Sequence, residues 1–297
     1  MRIWLMAALP RTLPAAIAPV LVGTAAAVEW FGRLPRAGAF VAALVGSIFI
    51  QIGTNLANDY SDAKRGADTA DRLGPVRVTS AGLVTPQRVM RATWIAFAVA
   101  IACGIYLATV AGAIILVVGA VSIAAGVLYT GGPRPYGYAG LGEIFVFLFF
   151  GLVAVNGAYY VQVEHLDALP LGLSLAIGAL ATAILVVNNV RDLETDRRAG
   201  KRTLAVRLGR EKTRGLYAGM LLVAFLTAPL PWPFGSMDAW LLLPWLAAPL
   251  ALKLIGVVRT RIDGPALNGA LARTGALQLL FCILFSAGIL ASGGIGG

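Results

Sequence analysis

The chain has 297 residues, 59% of them hydrophobic and 13% charged, with a formal net charge of +10 and a mean hydropathy of +0.81. That composition cannot build a water-soluble surface and places the chain among integral membrane proteins. The positive charge is gathered in the loops of one membrane face, which excludes a nucleic-acid patch and points to anionic lipid heads and an anionic substrate.

Apolar stretches of about 20 residues, the length that crosses a bilayer, are the markers of transmembrane helices. They predict nine spans, at 12–31, 37–58, 90–110, 112–130, 141–161, 170–191, 215–231, 239–258 and 273–293. The expected fold is all-α, a polytopic membrane protein forming one domain over 1–297. The first stretch has a second reading as a signal peptide, with Arg2 before an apolar run and Ala25-Ala26-Ala27 as cleavage site. Arg11 and Pro10, Pro14 and Pro19 interrupt that run, and Trp30 and Phe31 continue it as an interfacial belt would, which favours a retained helix.

The second span ends in Asn55-Leu56-Ala57-Asn58-Asp59-Tyr60-Ser61-Asp62, and the sixth in Asn188-Asn189-Val190-Arg191-Asp192-Leu193-Glu194-Thr195-Asp196. Asn55, Asp59 and Asp62 are spaced i, i+4, i+7, and Asn188, Asp192 and Asp196 i, i+4, i+8, so each set shares one helix face. The shared Asn-x-x-x-Asp pattern points to two related halves meeting at one cavity, with motifs at 55–68 and 188–202. A charge at mid-membrane depth costs about 2.5–3.5 kcal/mol even on the lenient insertion scale, so clustered acids need a cation and a wet cavity. Removing one of them is expected to leave folding intact or even improved. Oxygen ligands of this kind suit Mg²⁺, which binds one or two carboxylates and completes its shell with waters and substrate phosphates. Asp59, Asp62, Asp68, Asp192 and Asp196 are the candidate metal ligands, with Asn55 in the same catalytic set. Lys64, Arg65, Arg134, Lys201 and Arg202 are placed to hold a diphosphate and stabilise a departing pyrophosphate. Arg207, Arg210 and Arg214 read as topological anchors.

Other chemistry-bearing residues fall elsewhere. Cys103 and Cys282 lie inside predicted spans and read as core residues. His165 stands in a loop beside Glu164 and Asp167 and reads as solvated. Tyr129, Tyr136 and Tyr138 belong either to an interfacial aromatic belt or to a cavity mouth, where ring faces attract positive charge. The fifth span carries Phe145, Phe147, Phe149 and Phe150, which face several directions, toward lipid and cavity together. Asn268, Arg273 and Gln278 read as packing residues. All but Arg33 and Arg36 of the 24 basic residues fall on one side of the predicted membrane. That puts the N-terminus in the cytoplasm and the C-terminus outside, in a multi-pass protein of the plasma membrane.

Pro10-Arg11-Thr12-Leu13-Pro14, the Asn55–Asp62 motif with Gly66-Ala67-Asp68, Gly132-Pro133-Arg134-Pro135, Gly140-Leu141-Gly142-Glu143, the run from Asn188 through Gly200-Lys201-Arg202-Thr203-Leu204, and Thr274-Gly275-Ala276-Leu277-Gln278 occur in this order. Together they resemble intramembrane aromatic prenyltransferases of the UbiA type, and most closely the branch that acts on 1,4-dihydroxy-2-naphthoate. The first acidic motif departs from the wider family, since Gly66 stands four after Asp62 and the next acid is Asp68. The resemblance implies nine helices around a central cavity, capped by cytoplasmic loops and open sideways to lipid. It implies transfer of a polyprenyl group from polyprenyl diphosphate to the naphthoate, with Mg²⁺, giving a demethylmenaquinone. Arg11 is similar in position to the family's candidate for the acceptor carboxylate. A sister enzyme acting on 4-hydroxybenzoate, haem or a glycerol phosphate is the nearest alternative. A cation-coupled transporter is the alternative from another class, though its acids belong near the midplane rather than at helix ends.

Overall fold

The computed structural model describes residues 2–67, 72–231 and 238–293. Among them every regular element is helical. A short helix α1 (Arg2–Ala8) and a 3₁₀ turn (Pro10–Thr12) lead into α2 (Pro14–Phe31) and α3 (Ala37–Lys64). Then come α4 (Pro86–Ala111), α5 (Ile114–Leu128), α6 (Gly142–Val163) and α7 (Ala168–Arg198). The last are the short α8 (Leu204–Leu208), α9 (Arg210–Thr227), α10 (Ala239–Thr260) and α11 (Gly264–Gly293). Each expected span falls on one of α2–α7 and α9–α11, and seven of these helices are long and apolar enough to cross a membrane. The other two differ for visible reasons: α5 has 15 residues, and α9 opens with the polar turn Arg-Glu-Lys-Thr-Arg.

Local chemistry sets the helix ends. Pro14 and Pro86 start α2 and α4 at positions whose N–H would have no helical partner. Asp167 accepts the Ala168 N–H ahead of α7, and Asp238 accepts the Trp240 N–H ahead of α10. Gly32 ends α2 with φ 67°, a left-handed conformation that glycine adopts without steric cost.

The α7 helix is the pole of the molecule. Leu173, Ile177, Leu180, Ala183, Val187 and Val190 are fully buried, so it is apolar all round, as a helix enclosed by others must be. It packs on α6, α9 and α11, and α3 packs chiefly on α4. Backbones approach closely where α6 crosses α7: a Cβ on Gly151 would lie 2.6 Å from the Gly178 Cα. At this crossing α6 widens into a π-helical segment, Phe147–Val153, a rare form found mostly at functional sites.

The helices enclose a cavity of about 360 Å³ on one side of the bundle, lined from α2 through α7 with Leu271 of α11. Its walls are mostly Ala, Gly, Val, Leu, Ile and Phe, while Asn55, Asn58, Arg77, Tyr129 and Asn188 gather at one end. On α3 the lining runs from Asn58 back to Ala42, which at 1.5 Å per residue is about 24 Å, four-fifths of a hydrocarbon layer. At the opposite end of the bundle Arg36 pairs with Glu164, and exposed His165 meets the edges of Trp30 and Tyr159.

Candidate functional site

Both acidic motifs occupy the C-terminal turns of long helices, α3 and α7, and both end at the mouth of the apolar cavity. The first acid of each motif is held by protein donors. Asp59 is 1% exposed and accepts the N–H of Val78 at 2.9 Å and of Thr79 at 3.1 Å, which pins the α3–α4 loop over the cavity. Removing this carboxylate would cost those two bonds, an opposing term to the expectation that its loss spares or improves folding. Asp192 is gripped at both oxygens by its neighbour Arg191, through Nε at 2.7 Å and Nη2 at 2.5 Å.

Arg191 is 1% exposed and is the organising cation of the second motif, a role invisible in the sequence. It donates to Asn188 Oδ1 and Asn268 Oδ1, both at 2.8 Å, and Asn268 donates to the Leu73 carbonyl at 2.7 Å. One guanidinium therefore ties α7, α11 and the α3–α4 loop together. Gly74 gives it room, since a Cβ there would come within 2.7 Å of Nη2. Asn268 is thus part of the site's support, beyond the packing role expected for it.

Lys201 is paired with the second acid of the first motif and acts electrostatically on that of the second. Asp62 accepts Tyr138 Oη at 2.5 Å and pairs with Lys201 Nζ at 3.4 Å. Lys201 also stands 4.7 Å from the centre of the Tyr138 ring and is 8% exposed. Asp196 lies where the charges of Lys201, Asp192, Arg72 and Asp62 all act on it. Among the described residues no three His, Cys, Asp or Glu side chains form a closed metal site. The donors fit the shared mode of Mg²⁺ binding, in which one or two carboxylates leave the remaining positions to water and phosphate. Asp68 lies outside the described residues.

The remaining expected residues divide by burial. Asn55 donates to the Ala8 carbonyl at 2.9 Å and Thr12 Oγ1 at 3.0 Å, so it fastens the N-terminal segment onto α3. Arg65 donates to the Gly132 carbonyl and approaches the Tyr138 ring at 5.9 Å. Arg202 binds the Tyr138 carbonyl through its backbone N–H at 2.9 Å, with its side chain exposed. Lys64, Arg134 and Arg11 are exposed, and Thr12 rather than Arg11 lines the cavity. Arg77 is the guanidinium that lines it. Asn58, whose Oδ1 accepts Thr130 Oγ1 at 2.8 Å, and Glu143, which accepts Asn189 Nδ2 at 2.9 Å, are further buried polar groups that spacing alone did not single out.

An aromatic ladder runs from the polar mouth into the apolar cavity. Tyr129 meets Tyr136 edge-on at 5.5 Å, Tyr136 stacks on Phe145 at 4.0 Å, and Phe145 lies 6.1 Å from Phe149. All four line the cavity, so Tyr129 and Tyr136 belong to its mouth. Burial pushes the phenol of the loop residue Tyr136 up from its usual range. Both rings present neutral π faces. The structure therefore joins a polar pocket of carboxylates and cations to an apolar, aromatic-walled cavity, an arrangement matched to an amphipathic substrate with a charged head and a long hydrocarbon tail.

Residues 16–272 match the UbiA prenyltransferase family. The chain is 46% identical over 290 residues to a curated 1,4-dihydroxy-2-naphthoate octaprenyltransferase of Mycobacterium tuberculosis, covering 98% of this chain and 97% of that one. It is 40% identical to the enzyme of the same name from Escherichia coli, covering 97% and 95%. Among solved structures, a UbiA homolog from Archaeoglobus fulgidus bound to GPP and Mg²⁺ superposes with a TM-score of 0.66 at 17% identity, over 96% of this chain and 99% of that one. An apo UbiA homolog from Aeropyrum pernix superposes at 0.67 and 15%, over 95% and 96%.

Proposed function

The chain belongs to the UbiA prenyltransferase family, and we propose that it transfers a polyprenyl group from polyprenyl diphosphate to 1,4-dihydroxy-2-naphthoate. The allylic carbon–oxygen bond breaks and pyrophosphate leaves. A carbon–carbon bond forms to the naphthoate ring, and the acceptor's carboxylate departs as CO₂, giving the demethylmenaquinone skeleton as its quinol. The observation that carries this reading is the union at one mouth of the Asp62–Lys201–Asp196 cluster with the aromatic-walled apolar cavity.

Heterolysis of the allylic bond is the barrier, and it puts negative charge on the pyrophosphate and positive charge on carbon. Lys201, held in place by Asp62 and Tyr138, meets the growing phosphate charge from a buried position where screening is weak. Asp62 and Asp196 would hold Mg²⁺ together with the diphosphate, with Asp192 set behind them by Arg191. Bound Mg²⁺ neutralises charge on the leaving group. Tyr129 and Tyr136 face the allylic cation with electron-rich rings, and the walls below them exclude water that would quench it. Arg77 gives the acceptor's carboxylate a cation inside the cavity. The duplicated motifs act as halves of one domain, the first acid of each bracing the site and the second serving the diphosphate. With the basic loops cytoplasmic, as charge sorting requires, the site opens to the compartment that supplies both substrates.

Prenylation of 1,4-dihydroxy-2-naphthoate by the purified protein, with and without Mg²⁺ and with 4-hydroxybenzoate competing, tests the proposal. Magnesium-dependent product from the naphthoate alone is expected. Product from the benzoate alone would overturn the acceptor assignment, and no product from either would overturn the reaction.

A further inference from the structure

Away from this site, α10 and α11 border a groove of about 610 Å³ beside their connecting turn, lined by Lys253, Gly256, Thr260, Arg261, Gly269 and Arg273. Lys253 and Arg273 are exposed, and neither has an ion-pair or side-chain hydrogen-bond partner among the described residues. The acid of the connecting turn does not serve them. Asp263 accepts Arg261 Nε at 2.8 Å and the Ala266 N–H at 2.9 Å, and these bonds hold its carboxyl below the usual carboxylate range.

The depth of this groove is fixed by a neighbour. Gly275, two residues past Arg273, packs so closely on the Arg11 carbonyl that a Cβ there would come within 2.8 Å. Arg273 therefore lies at the level where α2 starts, at the edge of the apolar layer, which is where lipid phosphates lie. Apolar surface flanks the cations: Leu252 is 69% exposed and Ile262 66%. The groove is also open at its floor, because a Cβ on Gly256 or Gly269 would meet no atom within 4 Å. Two unpaired cations on one recess, at phosphate depth, with exposed apolar side chains beside it, are complementary to an anion that carries acyl chains.

We propose that this groove binds the phosphate of an anionic phospholipid, gripped by Lys253 and Arg273, with its acyl chains running along α10. The proposal rests on the chain being a multi-pass membrane protein and not on the identity of its acceptor. Phosphatidylglycerol, phosphatidylcholine or inorganic phosphate, added to delipidated full-length protein in detergent and counted by native mass spectrometry, tests it. Phosphatidylglycerol is expected to bind and phosphatidylcholine to be retained far less. Lys253→Gln/Arg273→Gln should weaken phosphatidylglycerol binding roughly thirtyfold, the equivalent of ~2 kcal/mol for two cations near an anionic lipid. Gly269→Leu keeps both charges, suits a helix better than glycine and fills the recess, so it should block binding in a folded protein. Arg259→Gln, outside the groove, should bind as wild type does. Unchanged binding in both groove variants would overturn the site, and displacement by an equal concentration of inorganic phosphate would overturn the lipid as occupant.

Discussion

Arg191→Met isolates the contribution of the buried guanidinium. Methionine keeps much of the length and apolar body of the side chain but leaves Asp192 buried, with an amide contact to Asn188 at 3.5 Å in place of two charge-assisted bonds. It also strands the Asn188 and Asn268 oxygens that Arg191 had bound. Removing one partner of a buried ion pair costs roughly 3–5 kcal/mol, because the remaining charge is uncompensated. At about 2 °C per kcal/mol for a chain of this size, the melting temperature in detergent should fall by roughly 6–10 °C. Arg191→Met/Asp192→Asn removes both charges, and a neutral pair of similar volume is often tolerated. The double variant should therefore recover at least half of the loss, read by scanning fluorimetry on the native tryptophans. If the two single effects simply add to within about 0.5 kcal/mol, the pair is uncoupled and the reasoning fails.

Four further outcomes follow from the same geometry. Asp59→Ala should cost on the order of 3 kcal/mol through its two charge-assisted bonds and speed tryptic cleavage at Arg72 and Arg77; an unchanged melting temperature and cleavage rate would show that the α3–α4 loop holds itself. Lys201→Met should raise the KM for prenyl diphosphate at least tenfold, about 1.4 kcal/mol, while exposed Lys64→Ala and Arg134→Ala stay near wild type; equal effects at all three would deny the buried lysine its special role. Gly119 and Gly157 line the cavity with open space around them, so Gly119→Phe or Gly157→Phe should exclude long prenyl diphosphates yet still use geranyl diphosphate. An unaltered chain-length profile would place the tail elsewhere. Chelation with EDTA should abolish turnover and added Mg²⁺ restore it, with the melting temperature of the substrate-free protein nearly unmoved, since Asp59, Asp62 and Asp192 are already held by protein partners.

The sequence by itself determined the membrane class, the positions of the long helices and the two acidic ends. These properties are local: an apolar run of bilayer length is helical wherever it lies, and a carboxylate at its end is costly without a partner. It also placed Asn55, Asp59 and Asp62 on one helix face, because helical spacing needs no knowledge of the rest of the chain. Which acid does what was decided only by the tertiary structure. Asp59 is engaged by Val78 and Thr79, Asp62 by Tyr138 and Lys201, and Asp192 through Arg191 by Asn268, partners that come together only when the helices pack. The same holds for the cations. Lys64, Arg134 and Lys201 are alike as letters in basic loops, yet Lys201 alone of these three is buried beside an acid. The aromatic ladder depends on a loop tyrosine folding back onto Phe145 in the first turn of α6, and no periodicity in the sequence encodes that. Electrostatic roles in a low-dielectric interior are set by burial and by the nearest opposite charge, and both are properties of the packed bundle.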